Sequence, residues 1–120
     1  MNNTKSWIES ISKAIDTKDA KGFSEFITET GSFRFGNQPE IIGRKAIEDY
    51  VSGFFGMIGS SSHKIVNVWD NGSHIIWEGK VTYTRLDGKT VPVNFTNVFY
   101  MNGTLIEKYN IYIDNTPLFA

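Results

Sequence analysis

Residues 74–103, HIIWEGKVTYTRLDGKTVPVNFTNVFYMNG, carry the alternation and the turn signals that decide the fold. Two runs rich in β-branched and aromatic residues, 74–86 and 89–101, are separated by Asp87-Gly88. Asp-Gly and Asn-Gly are favoured in tight hairpins because both residues tolerate a positive φ. The stretch therefore predicts two antiparallel strands joined by a short turn.

The same pattern continues on both sides of this hairpin. Asn71-Gly72 separates it from a β-rich run at residues 63–70, and Asn102-Gly103 separates it from another at residues 104–114. Three hairpin signals in succession predict an antiparallel meander of four strands.

Hydrophobic alternation assigns one row of each central strand to the interior. A one-residue slip would turn every side chain to the opposite face, so a mainly apolar row identifies the inner side. Asn97 falls within such a row, between Phe95 and Phe99. The predicted inner rows are Ile75, Trp77, Gly79, Val81 and Tyr83 in the first strand, and Val91, Val93, Phe95, Asn97, Phe99 and Met101 in the second.

The first half of the chain predicts helices. Apolar residues at spacings of three and four favour one helix over residues 4–15 and another from Gly43 to about residue 58. Asp19 is a suitable N-cap for a shorter helix that ends near residue 27. Residues 32–35 predict a short strand, and residues 59–62 a loop. Helices followed by a meander predict one α+β domain over residues 1–120, with a curved, mainly antiparallel sheet around three helices.

Composition excludes several classes of partner and site. The formal net charge is -1, which offers no basic stripe for nucleic acid and no polybasic membrane anchor. No apolar run approaches the roughly 20 residues that span a bilayer, and the first ten residues lack a signal-peptide core, so we expect a cytoplasmic protein. Cysteine is absent, and no spacing of His, Asp and Glu suggests a metal. We expect no cofactor.

Asn97 and His63 are the candidate catalytic residues. A buried amide must find hydrogen-bond partners or cost roughly 1–3 kcal/mol. Asn97 is therefore either a structural residue satisfied inside the core or a group that presents its amide to a ligand in a cavity. His63 opens the first long strand, where alternation groups it with Ile65, Asn67 and Trp69. It is either a pocket acid–base or a loop-edge residue bonded to backbone.

Aromatic residues on the predicted inner faces form the candidate ligand-binding set. Such residues are usually core, but a pocket that also holds Asn97 and His63 would suit a mostly apolar small molecule with a carbonyl or hydroxyl. The set comprises Tyr50, Phe54, Trp77, Tyr83, Phe99 and Tyr109.

The last strand carries a second candidate cluster on its other row. Tyr109, Ile111 and Ile113 form the more apolar row and are expected to face inward. The row of Asn110, Tyr112 and Asp114 is then expected to face solvent or a partner subunit, unless a bulge near the strand end rotates Asp114 inward.

The pattern as a whole resembles the SnoaL-like branch of the nuclear transport factor 2-like superfamily. The resemblance rests on the predicted helices, on Gly43-Arg-Lys-Ala-Ile47, on residues 63–69, 81–88 and 97–103, and on Tyr112-Ile-Asp114 before Pro117-Leu118. It implies a cone-shaped, cystatin-like roll with a pocket at one end and frequent dimerisation through the outer face of the sheet. Members include ketosteroid isomerases, epoxide hydrolases, polyketide cyclases, dehydratases and binding proteins.

The resemblance also implies which activities to exclude. Isomerase-type members use an inward carboxylate base, a helix tyrosine and a strand acid, and here the base region reads Phe33-Arg-Phe-Gly36, the tyrosine position falls near Ile11, and Asn97 replaces the acid. Epoxide-hydrolase-type members need an arginine and two aspartates. The matching positions carry Gly79, Val81 and Ile111. Neither standard reaction is expected.

Two hypotheses remain. The first is a pocket protein for a small hydrophobic molecule, acting as an isomerase, cyclase or dehydratase with His63 as proton carrier and Asn97 as carbonyl donor. The second is a noncatalytic binding or dimerisation module whose aromatic interior is mostly filled. Cavity volume, and whether His63 and Asn97 reach the same cavity, distinguish the two. Val98, Tyr100 and Tyr112 on the outer face predict a homodimer.

Overall fold

The computed structural model describes residues 3–119 and places an α+β fold on them, which confirms the predicted class. All three helices precede the four strands of the predicted meander. The helices are α1 (Thr4–Asp16), α2 (Ala20–Ser24) and α3 (Arg44–Phe55). The strands are β1 (Ile27–Phe35), β2 (Ile41–Ile42), β3 (Ser60–Asp70), β4 (His74–Thr84), β5 (Thr90–Asn102) and β6 (Leu105–Ile113), followed by a 3-10 turn at Thr116–Phe119.

The strands form one mixed sheet in the order β2-β1-β6-β5-β4-β3. Strands β3 to β6 are the predicted meander, and β1 joins its free edge by pairing parallel to β6. The helices pack on one face, with α1 against β3 and α3 against β1. This arrangement is the predicted cone, in which a mainly antiparallel sheet wraps around three helices. Within residues 3–119, no helix has both the length and the apolar character to cross a membrane.

The inner rows of the central strands are confirmed. Trp77, Phe99 and Tyr109 are fully buried, and Asn97 is 3% exposed in the row between them. Gly79 lies in the same inner layer. A Cβ there would collide with the Lys64 carbonyl oxygen and come within 2.6 Å of the Phe95 ring, so only glycine lets that ring pack against β4.

Element ends differ from the sequence predictions in the first half of the chain. Asp19 caps α2 by accepting from the Gly22 amide, but the helix ends at Ser24 because Ile27 already pairs with Ile106 in the sheet. The first strand therefore starts five residues earlier than predicted. Residues 60–62 are not a loop, because they extend β3 along the end of β4.

A β-bulge in β3 overturns the predicted row that begins at His63. The pairing register shifts between Ile65 and Asn67, so the residues after the bulge change faces. Asn67 then donates to Glu78 on the outer side, and Trp69 is 52% exposed. The alternation failed here because one extra residue reverses the parity of every later side chain.

Candidate functional site

A small cavity lies inside the cone, between the helices and the inner face of the sheet. Its volume is about 50 Å³, and its wall is apolar or aromatic apart from His63, Asn97 and three tyrosine hydroxyls. The tyrosines are Tyr50, Tyr83 and Tyr109. A site for a drug-sized ligand has several hundred Å³, so this space fits a few water molecules or one small functional group.

His63 is held by a carboxylate from α1. Its Nδ1 lies 2.6 Å from Oδ1 of Asp16, and its backbone N–H donates to Oδ2 of the same residue at 2.9 Å. The Ser61 hydroxyl donates to Oδ1 at 2.8 Å. The His63 side chain is only 9% exposed. Its ring packs against Trp77 and Phe95, which fixes its plane.

The Asp16 carboxyl is ionised at neutral pH. Burial raises its pKa, but the hydrogen bonds and charge of His63, with the Ser61 hydroxyl, outweigh burial and hold the pKa below its ordinary value of 3.8. An ionised carboxylate only accepts hydrogen bonds, so Nδ1 of His63 must carry the proton between them. In the neutral ring the lone pair is then on Nε2, the nitrogen with no partner among the described residues.

Asn97 and Tyr109 form a second polar pair in the same cavity. The Asn97 Nδ2 lies 3.5 Å from the Tyr109 hydroxyl, a long contact, and Asn97 Oδ1 is buried without a partner within residues 3–119. Burial raises the pKa of Tyr109 far above its ordinary value, and Tyr83 adds to the rise. The Tyr109 hydroxyl therefore keeps its proton and can donate it in a hydrogen bond.

Tyr83 and Tyr50 are also protonated at neutral pH. Burial raises the pKa of Tyr83 far above its usual range, the charge of Asp16 raises it further, and a contact with the Asn115 side chain opposes the rise. Burial likewise raises the pKa of Tyr50. All three tyrosines of the cavity are thus donors rather than bases.

The structure brings six of the eight predicted site residues to one cavity. They are His63, Asn97, Tyr50, Phe54, Tyr83 and Tyr109. Trp77 and Phe99 lie behind the wall instead. Phe99 packs against Tyr109 with tilted rings whose centroids are 4.6 Å apart, and Trp77 contacts His63 and Phe95, so both position lining residues.

Asp114 is outside the cavity. Its Oδ1 accepts from the Thr116 amide at 3.0 Å and from the Thr116 hydroxyl at 2.6 Å, and these bonds lower its pKa. Asp114 therefore caps the C-terminal turn, and no bulge rotates it inward. In the same row Tyr112 is 53% exposed as expected, but Asn110 is buried, because it lies in the middle of the sheet beside Arg34 and Val98.

A larger cleft adjoins the cavity at the open end of the cone. Its volume is about 700 Å³, and it lies between the turn after β1, the exposed side of α3 and the C-terminal segment 113–119. We call it the outer cleft. Phe35, Tyr50, Phe54 and Ile113 line both spaces. Phe35 and Phe54 pack edge to face with centroids 4.9 Å apart, so these side chains form the partition between them.

Asp16 is a site residue that the sequence pattern did not indicate. It lies directly after the helix predicted over residues 4–15 and 47 positions before His63. One local signal was available: a negative charge in the last turn of a helix opposes the macrodipole, so an Asp there needs another stabilising partner. Among the described residues, no group of three or more His, Cys, Asp or Glu could hold a metal.

Comparison with known proteins places the chain in a family. The model of the SnoaL-like domain matches residues 8–109, so the chain belongs to that family. A nuclear transport factor 2-like protein of unknown function from Burkholderia pseudomallei superposes with a TM-score of 0.86 at 12% identity, covering 98% of this chain and 95% of the other. No curated protein matches the sequence.

Two further solved structures share the fold. A hypothetical Catenulispora acidiphila protein with a ketosteroid isomerase-like fold, in complex with trimethylamine, has a TM-score of 0.81 at 14% identity and covers 88% of this chain and 82% of the other. A protein from Jannaschia sp. CCS1 described as a candidate SnoaL-like polyketide cyclase has a TM-score of 0.76 at 13% identity, and the match covers 93% of this chain and 88% of the other. At such identities the likeness establishes the fold alone.

The Asp16–His63 contact predicts a pH-dependent contribution to stability. A carboxyl whose folded pKa lies below its unfolded value stabilises the fold above the unfolded pKa and loses that contribution as pH falls through the folded value. We expect Asp16→Asn to lower the free energy of unfolding at pH near 7 by about 1.5–3 kcal/mol, the range for hydrogen bonds to charged groups. The difference from the unmutated protein should shrink below pH 3.8.

Urea unfolding of both proteins across that pH range measures the difference. Asp49→Asn is the control, since Asp49 is an exposed carboxylate on α3 whose partner is an exposed lysine. A difference for Asp16→Asn that is no larger than the control at neutral pH would contradict the proposed strength of the contact.

Proposed function

We propose that this SnoaL-like protein binds a small, mostly apolar molecule with a carbonyl or hydroxyl, and that His63 moves a proton on that molecule. The observation that carries the proposal is that His63, fixed by Asp16, lines the same cavity as Asn97 and Tyr109. A proton acceptor and an oxygen-binding pair in one water-poor space are the parts that enolisation requires.

The chemistry divides between the two polar pairs. Nε2 of His63 removes a proton from the carbon next to a carbonyl, and the electron pair of that C–H bond moves to the carbonyl oxygen. The Tyr109 hydroxyl donates to that oxygen, and its high pKa prevents it from losing its own proton. Where a double bond is conjugated to the enolate, His63 returns the proton to the far carbon, which gives an isomerase. Where the substrate has a β-hydroxyl, the electron pair returns from the oxygen, the β C–O bond breaks and His63 gives its proton to the leaving hydroxide, which departs as water and gives a lyase.

The small cavity volume supports the noncatalytic alternative. At about 50 Å³ the interior is mostly filled, as that alternative requires. Two features favour the catalytic proposal nevertheless. His63, Asn97 and Tyr109 all line this space, and the partition to the outer cleft consists of side chains, which can rotate. The trimethylamine in the Catenulispora structure is in keeping with a small occupant for this fold.

Exchange of α-hydrogens on a simple ketone tests the catalytic proposal without knowledge of the natural substrate. In D₂O, we expect the protein to accelerate deuterium incorporation into acetone and cyclopentanone above the rate in buffer, followed by proton NMR. General-base catalysis contributes about 10²–10⁴-fold to a rate, so His63→Gln should slow the catalysed exchange by about 10²-fold or more. Tyr109→Phe should slow exchange less, because Asn97 still reaches the oxygen.

His74→Gln is the matched control, because the other histidine starts β4 with its ring packed against Tyr100, away from the cavity. Its exchange rate should equal that of the unmutated protein. Ketone binding detected by saturation transfer, with no exchange above buffer, would reject the acid–base role and leave the noncatalytic binding module.

We also propose that the protein is a homodimer that associates through the outer face of the sheet. The bulge in β3 turns Trp69 to that face, where Val66, Tyr100 and Tyr112 are also exposed. A group of exposed aromatic side chains on one face is typical of an interface.

A cytoplasmic location stays a prediction.

Sedimentation at micromolar concentration should give a species of twice 13.6 kDa. Tyr112→Lys should shift it to the monomer, because a charge in the centre of an apolar interface is costly to bury. Leu86→Lys, which changes an exposed apolar residue in the β4–β5 turn, should leave the dimer intact. A monomer for the unmutated chain would refute the proposal.

A further inference from the structure

The outer cleft has a distinctive charge pattern. Its polar side chains include the carboxylates of Asp49 and Asp114, and no Lys or Arg is among the described residues that line it. Lys45 pairs with Asp49 at 3.2 Å from outside the lining and offsets part of its charge. Asp114 forms no ion pair among the described residues, so an anion that enters the cleft would meet the repulsion of this carboxylate.

Asn115 supplies an acceptor at the base of this cleft. It lies in the C-terminal segment, where its side chain contacts the Tyr83 hydroxyl. Its Oδ1 is buried and has no hydrogen-bond partner within residues 3–119. Leaving a buried oxygen unpaired costs roughly 1–3 kcal/mol, and a ligand that brings a donor recovers that energy. Asn115 lines the cleft and is only half-buried, so a rotation of its amide away from Tyr83 would present this oxygen to such a donor.

Apolar surface completes the cleft. Met57 is 54% exposed and Phe119 is 55% exposed, and both line the cleft together with the partition residues Phe35 and Phe54. Large apolar side chains that line a concave surface favour an aromatic or aliphatic ligand body.

We propose that the outer cleft is a second binding subsite, which holds the apolar body of the ligand and selects a neutral or cationic group that donates a hydrogen bond. Asn115 is the specificity-determining residue, and the carboxylates reject anions. The orientation of the ligand rests on the proposed function: its small carbonyl or hydroxyl end enters the inner cavity past Phe35 and Phe54. Molecules that would place a carboxylate, phosphate or sulfate in the outer cleft are not expected to bind.

Four fragments with the same aromatic ring test this selection. Benzylammonium, benzyl alcohol, toluene and benzoate are titrated into ¹⁵N-labelled protein, and the amide signals of Gly36, Gly53 and Asn115, which line the cleft, are followed. We expect benzylammonium and benzyl alcohol to shift these signals, toluene to bind more weakly and benzoate to cause no shift. Benzoate binding as tightly as benzylammonium would overturn the charge selection.

Three variants identify which residues of the outer cleft bind each fragment. Asn115→Leu should weaken benzyl alcohol about fivefold, the loss of about one hydrogen bond, without affecting toluene. Asn94→Leu, the same change on an exposed residue of β5, is its control. Asp114→Asn, which keeps an acceptor for the Thr116 amide, should weaken benzylammonium but not benzyl alcohol. Gly53→Phe should abolish all binding, because a side chain at Gly53 meets no atom within 4 Å and has room in the cleft.

Unchanged affinities in Asn115→Leu would overturn the role of that residue, and shifts that survive Gly53→Phe would place the fragments elsewhere and overturn the subsite. This experiment is independent of the proton chemistry. His63→Gln should leave fragment binding intact, so fragments that bind in a protein without ketone exchange would reject the proposed function alone. Exchange without fragment selection would reject the subsite alone.

Discussion

The Asp16 carboxylate holds the two halves of the molecule together at the site. Asp16 is the last residue of α1, a helix that is anchored by its buried apolar face. Its carboxylate accepts hydrogen bonds from the ring and backbone of His63 and from the Ser61 hydroxyl, both on β3. One side chain therefore fixes the end of a helix against an edge strand and orients an imidazole. Each of these bonds involves an ionised acceptor, which makes it stronger than a neutral pair. The placement of His63 in the cavity depends on this contact.

The sheet surrounds this contact with a wall that determines the chemistry available. Asn97 is positioned between Trp77 on β4 and Ile111 on β6. Gly79 lets the Phe95 ring pack against β4, and Ile111 adds an apolar side chain to the cavity wall. The cavity wall thus carries one imidazole, His63, which Asp16 holds from behind, among protonated tyrosines. Such a site has one group that can accept a proton and several that can only donate hydrogen bonds.

The sequence was sufficient for the fold where local signals agree. Alternation and hairpin dipeptides in residues 74–103 placed the central strands and put Asn97 inside, and alternation in the last strand did the same for Tyr109, because burial of one face imposes a period of two. The same reasoning failed at Val66, where a bulge reverses the parity, and at Ile27, where pairing with Ile106 outweighs helical spacing. Asp16 could not be paired with His63, since only the tertiary fold brings α1 beside β3. Nor does any pattern report the size of a cavity, which depends on how nine aromatic rings pack.

The central claim is that Asp16 holds the His63 ring with Nδ1 protonated and the basic Nε2 free for a ligand. Long-range ¹H–¹⁵N correlation of the histidine ring nitrogens, at a pH high enough for the ring to be neutral, measures this directly. We predict that His63 is the Nδ1–H tautomer, whereas in Asp16→Asn the Nε2–H form, which is commoner in free histidine, becomes populated. An Nε2–H tautomer for His63 in the unmutated protein would contradict the account, because Nδ1 would then have no proton to donate to Asp16.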